Sequence, residues 1–179
     1  RESLSHVPSA MEWEEVKELC IKHAVPGVGF YAIRKLSERS AGSVPPRELV
    51  MELYAQERRM SETNARQMAD AGKLTWLFEQ EGFASCVLKG CGLAGLYPHG
   101  MERVSGDIDI WVMPKGKEGE SLHVRRREVL ALCRRVVGYR DVFYHHTDLP
   151  LKGKDIEVHF TPSWMFAPWH NARLQRFFQ

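Results

Sequence analysis

The sequence predicts an α+β domain, α/β-like in element order, with a small mixed sheet flanked by helices and an N-terminal helical region. Three observations carry this. Up to Gly82, apolar residues recur at three- and four-residue steps, the pattern of amphipathic helices. From Phe83 onward, short apolar runs ending in Gly or Pro alternate with helical patterns in the order β-α-β-α-β-β-α. Within that part, "SGDIDIWV" (105–112) alternates carboxylates with apolar residues, as a strand with one buried face does. The expected division is 1–82, helical, and 83–179, the sheet-bearing core.

"MEWEEVKELCIKH" places Trp13, Val16, Leu19 and Cys20 on one stripe, and "VPGVGF" breaks it. "ERSAGSVPP" is a loop whose Pro45 and Pro46 suit a helix start. From Arg47 to Glu81, Val50, Leu53, Tyr54, Met60, Met68, Ala71, Leu74 and Phe78 form one stripe, which Gly72 is expected to bend or split. Asn64 falls on that stripe and reads as a satisfied buried amide, with a functional role as the alternative. "FASCVLKG" reads as a strand, and "CGLAGLYPHG" as a short helix stopped at Pro98 and Gly100. Ser121 to Val137 forms an amphipathic helix with its arginines outward, ended by Gly138. "YRDVFYHHT" and "KDIEVHF" form a hairpin of two strands, and "PWHNARLQRFF" a last helix.

The chain has 179 residues, 44% of them hydrophobic, and a formal charge of +2, so nothing demands a polyanionic partner. The five arginines of "HVRRREVLALCRR" suit a solvated helix face, and a nucleic-acid acceptor is not favoured. Cys20, Cys86, Cys91 and Cys133 form no metal spacing and read as reduced thiols, which points to the cytoplasm. No apolar run is long enough to span a membrane. The chain opens on Arg1 and ends inside a helical pattern, so a longer natural protein is expected.

On "DIDIWV", Asp107, Asp109 and Trp111 share one face, and Ile108, Ile110 and Val112 the other. The two aspartates stand about 6–7 Å apart at Cα and can converge on a hard divalent cation. "DIEVHF" repeats the pattern, with Ile156, Val158 and Phe160 facing the core and Asp155, Glu157 and His159 facing away. If the strands are neighbours, Glu157 joins the aspartates, and three acidic groups suit a two-metal phosphoryl-transfer site. The bland alternative, a capping Asp-x-Asp, leaves two charges inside an apolar strand unexplained. Upstream, Lys89-Gly90-Cys91-Gly92 is a strand-to-helix turn. Its glycines and N–H groups suit a phosphate, although they equally suit a tight turn needing glycine for geometry alone.

"LKG" (88–90) with "GDIDIWV" resembles the polymerase-beta-like nucleotidyltransferase superfamily. More narrowly, "VLKGCGLAGLYPHGMERVSGDIDIWV" is similar to the uncharacterised nucleotidyltransferase family of bacteria. The matching residues are Leu88-Lys89-Gly90, Tyr97-Pro98, Arg103 and Gly106 to Asp109, with Gly138-Tyr139 and Glu157-Val158-His159 downstream. The likeness is close from Cys86 to Phe160 and looser back to about residue 47. Cys91 departs from it, standing where a Gly or Ser is usual.

The resemblance implies a nucleotidyltransferase core and a metal-dependent enzyme. Such an enzyme moves a nucleoside monophosphate from an NTP to an acceptor hydroxyl and releases pyrophosphate. It assigns Asp107, Asp109 and Glu157 to catalysis and to Mg²⁺ (or Mn²⁺). Lys89, Gly90, Cys91, Arg103 and His159 fall to the nucleotide. The acceptor stays unidentified. The alternative is an inactive module of the same fold that binds a nucleotide or a protein partner. Arg103 equally suits a structural salt bridge, and His159 a partly buried sheet histidine. Adjacent residues of a strand point to opposite faces, so only one of His145 and His146 is expected beside His159, and zinc is not favoured. Trp111 reads as a packed aromatic rather than a base-stacking one. "PSWMFAPWH" lines either a pocket or a partner surface.

Overall fold

A computed structural model describes residues 8–39, 45–97, 103–117 and 119–178. Pro98 and Gly100, the expected stop of the short helix, lie outside them, as does most of the loop before Pro45. The described chain is a mixed α+β structure of six helices and one four-stranded sheet, with a helical N-terminal region.

The chain forms two compact units, Arg1–Arg66 with Ala94–Val104, and Gln67–Leu93 with Ser105–Gln179. In the first, α1 (Ala10–Lys22) opens on a capping box. The Ser9 hydroxyl accepts from the Glu12 N–H, and the Glu12 carboxylate accepts from the Ser9 N–H. Trp13 is buried, but Val16 and Leu19 are exposed, so only part of the expected stripe faces inward. "VPGVGF" does not merely break the pattern. Pro26 starts a second helix, α2 (Pro26–Arg39), and Pro is tolerated in a first helical turn, whose N–H groups have no intrahelical partner. A Cβ on Gly29 would stand 2.5 Å from Cys20 Sγ, so the two helices approach closely at a glycine. The core here gathers Trp13, Ile33, Leu49 and Leu53.

Helix α3 (Arg47–Gln80) follows Pro46 and runs uninterrupted, so Gly72 does not split it. Gly72 has no non-local neighbour within 4 Å of a built Cβ, and a solvent-facing glycine costs a helix only local stability. Asn64 is fully buried and donates from Nδ2 to the Arg103 carbonyl at 2.8 Å, the satisfied amide expected.

In the second unit the sheet order is β1-β2-β4-β3, from β1 (Phe83–Val87), β2 (Ile108–Pro114), β3 (His146–Asp148) and β4 (Ile156–His159). β1 and β3 run antiparallel to their neighbours, and the central pair β2 and β4 is parallel. Ile108, Ile110, Val112, Ile156, Val158 and Phe160 are all buried in one core with Phe78, Leu132 and Cys133. Each such side chain stabilises the fold by about 1.5–3 kcal/mol. Helices α4 (Lys89–Ala94), α5 (Leu122–Val136) and α6 (Pro168–Phe177) complete the order.

Two expectations need correction here. Not all of the α5 arginines face outward: Arg125 is fully buried and donates from Nη1 to the Phe178 carbonyl at 3.1 Å. The long arginine stem fills core space, and a backbone acceptor meets its head. "YRDVFYHHT" is not one strand. It folds back on itself through a Val142–Thr147 bridge and a Phe143 N–H to His146 carbonyl bond of 2.9 Å, which leaves only the short β3.

Candidate active site

Strand alternation sets Asp107, Asp109 and Trp111 on one side of β2, and register then decides what meets them. Asp109 pairs with Glu157 across β2 and β4, and Glu157 pairs with Asp148 across β4 and β3. One carboxylate oxygen each from Asp107, Asp109 and Glu157 lies within 4.8 Å of the other two. A hard divalent cation takes oxygen donors of this kind, so the donor set fits Mg²⁺ or Mn²⁺.

Asp109 is 1% exposed and does not stand unpaired. Lys89 Nζ reaches its Oδ1 at 2.9 Å, and His159 Nε2 reaches the same oxygen at 2.8 Å. Burial by itself would raise the Asp109 carboxyl. The hydrogen bonds from His159 and Lys89 outweigh it and hold the group down at about 2. Asp109 is therefore an anion that only accepts, so His159 Nε2 carries the proton between them. The Asp109 hydrogen bond in turn raises the Lys89 ammonium above its ordinary range, against desolvation.

The turn that delivers Lys89 is tight. The Leu88 N–H donates to the Asp109 carbonyl at 2.8 Å, so the chain leaves β1 directly beside Asp109. Lys89 then takes φ +41°, in the left-handed region that side chains disfavour, and Gly90 has non-helical angles of φ 13° and ψ −106°. A Cβ on Gly92 would stand 2.5 Å from the Val87 carbonyl oxygen, so glycine is required there by close approach. The Cys91 side chain is fully buried in the core, and burial raises its thiol, so Cys91 offers a ligand only its backbone.

The histidines depart from expectation. Both rings of the adjacent pair gather at His159: His145 and His146 each lie 5.3 Å from it between centroids, and 4.4 Å from one another. His145 precedes β3 and so escapes the alternation that separates neighbours on a strand. Burial, with repulsion from His146, His159 and Lys89, pushes His145 down to about 4. His159 Nε2 lies 3.3 Å from Glu157 Oε2. Trp111 packs on Phe178 with centroids 6.0 Å apart, the packed aromatic expected. Arg103 is exposed and belongs to the other unit.

Beside the carboxylates opens a cavity of 440 Å³ lined by Gly106, Asp107, Arg140, Asp148, Asp155, Ile156 and Glu157. This is the size of a small-molecule site. Arg140 was not legible as a lining residue, because it lies in the folded-back segment before β3.

A family model described as "Uncharacterised nucleotidyltransferase" matches residues 9–178. The protein is thus of the nucleotidyltransferase class. The chain belongs to that uncharacterised family. No curated protein and no solved structure matches it.

Proposed function

We propose that the protein transfers a nucleoside monophosphate from an NTP to an acceptor hydroxyl and releases pyrophosphate. The observation that carries this is the convergence of Asp107, Asp109 and Glu157 from two parallel neighbouring strands, beside a turn that brings a lysine to the same point. Asp107, Asp109 and Glu157 would hold Mg²⁺ or Mn²⁺. Bound there, such ions would activate the acceptor oxygen and stabilise the leaving pyrophosphate. The acceptor oxygen forms a bond to the α-phosphorus as the bond to the β-phosphate oxygen breaks, and the hydroxyl proton leaves to solvent.

Lys89 would turn from Asp109 toward the β- and γ-phosphates. The backbone of Gly90 and Cys91 would contribute N–H groups to the same phosphates. His159 would orient Asp109 through their 2.8 Å contact at Nε2. The 440 Å³ cavity beside Asp107 and Glu157 is the space for the acceptor. Among the described residues, no helix is long and apolar enough to cross a membrane. The free thiols of Cys20, Cys86, Cys91 and Cys133 suit a cytoplasmic enzyme working from the NTP pool.

The test incubates the protein with labelled NTPs, Mg²⁺ or Mn²⁺ and a panel of acceptors, and follows pyrophosphate release. Phosphoryl transfer rests on positioning and electrostatics, so Asp107→Ala/Asp109→Ala should nearly abolish it. Equal release from wild type and variant would end the enzyme reading. Calorimetric binding of NTP with no turnover on any acceptor would favour an inactive nucleotide-binding module instead.

A further inference from the structure

The three carboxylates do not use all the donors on this face of the sheet. Across β3 and β4, His146 pairs with His159 and Asp148 with Glu157. His159 Nε2 lies 3.3 Å from Glu157 Oε2, and His146 Nδ1 lies 3.6 Å from the same oxygen. All three ligand atoms fall within 4.8 Å of one another. Donors about 2.0–2.1 Å from a tetrahedral zinc ion are separated by about 3.3–3.4 Å, so the two separations from Glu157 are close to the edges of such a tetrahedron. We propose that His146, Glu157 and His159 form a second cation site, for a transition-metal ion of the Zn²⁺ type, adjoining the carboxylate trio and sharing Glu157 with it.

An independent observation supports it. The other nitrogen of His146, Nε2, faces Asp148 Oδ1 at 3.5 Å. A carboxylate behind a histidine orients the ring toward a metal, as in carboxylate–histidine–zinc arrangements, and an ion here would displace the His159 Nε2 proton to solvent and the 3.0 Å contact of His146 Nδ1 with His145 Nε2. Two imidazoles and one carboxylate select zinc, cobalt or nickel over magnesium, which prefers an all-oxygen shell. Three protein donors leave the fourth tetrahedral position open to water or a substrate oxygen. The proposal concerns binding of an ion and stands whether or not the transfer reading does.

The test titrates metal-free full chain with Co²⁺ in excess Mg²⁺ and records visible absorption, because tetrahedral Co²⁺ absorbs strongly. The expected result is one band set per chain, displaced by Zn²⁺. His146 is only 12% exposed at its side chain, so a cooperative urea melt of His146→Ala is recorded first to show that the variant folds. That variant should weaken Co²⁺ binding at least about 100-fold, and Asp148→Ala about 10-fold. Asp107→Ala should leave the bands in place, which separates this site from the carboxylate trio. Absence of the bands in wild type, an unchanged affinity in His146→Ala, or loss of the bands in Asp107→Ala would each overturn the proposal. A measurement without any variant stands beside these: in ¹⁵N spectra of wild-type imidazoles, Zn²⁺ should shift one Nδ1 and one Nε2 resonance. Unmoved resonances at saturating Zn²⁺ would refute the site equally.

Discussion

Replacing Gly92 by alanine should strain the turn that carries Lys89. The added Cβ would stand 2.5 Å from the Val87 carbonyl oxygen, 3.0 Å from its carbon and 3.4 Å from Cγ1 of the same residue. The first two obstacles are backbone at the end of β1 and cannot rotate away. Ordinary contact needs about 3.4 Å, so the turn and the strand end must separate by almost 1 Å. Forcing an extra carbon into a packed position costs about 1–3 kcal/mol. Gly72→Ala is the natural companion, since it makes the same chemical change in the same unit with nothing within 4 Å. In the exposed interior of α3 it should stabilise by about 1 kcal/mol. Urea denaturation of both variants reads the contrast directly, and the two changes should differ by about 2–4 kcal/mol with opposite signs. Should Gly92→Ala lie within about 0.5 kcal/mol of wild type, the close approach claimed for this turn is wrong.

Other substitutions probe separate points. His145 is held down at about 4 against an ordinary 6.5, so the folded state excludes a proton that the unfolded chain accepts. Its contribution is fully present above pH 6.5 and is lost as the pH falls toward 4. A shift of this size is worth about 3 kcal/mol, and residual solvent access cuts that to about 2. Urea melts at pH 7.5 and 5 should therefore show a steeper loss in wild type than in His145→Gln, and parallel losses would count against the buried neutral ring. Ala24 ends α1 at φ +58°, so Ala24→Gly should raise stability by about 0.5–1 kcal/mol, read as an upward shift in thermal midpoint. Asn64→Ala removes the donor to the Arg103 carbonyl and should cost about 1–3 kcal/mol in urea, with a neutral result contradicting the buried-amide reading.

Much of the candidate site could be read from the sequence, because the period of a strand is so simple. Alternation put Asp107, Asp109 and Glu157 on the polar face and Ile108, Ile110, Ile156 and Val158 in the core. The same logic failed for His145, which lies just outside β3 and is free of the strand's two-residue period. It failed for Arg125 as well, since a helical pattern counts arginine as polar while its stem packs as an apolar chain. The second helix was hidden by glycines that read as breakers and in fact permit α1 and α2 to touch. The bond from Lys89 to Asp109 had no one-dimensional signal beyond proximity, because it depends on a backbone angle.

That angle has a further consequence. Lys89 sits at φ +41°, where any residue but glycine gives up about 1–2 kcal/mol. Glycine at position 89 would relax the backbone and delete the only ammonium that meets Asp109 among the described residues. Backbone strain and the ion pair to Asp109 thus pull position 89 in opposite directions. Heat tolerance at this position therefore weighs a relaxed turn against a buried carboxylate left with His159.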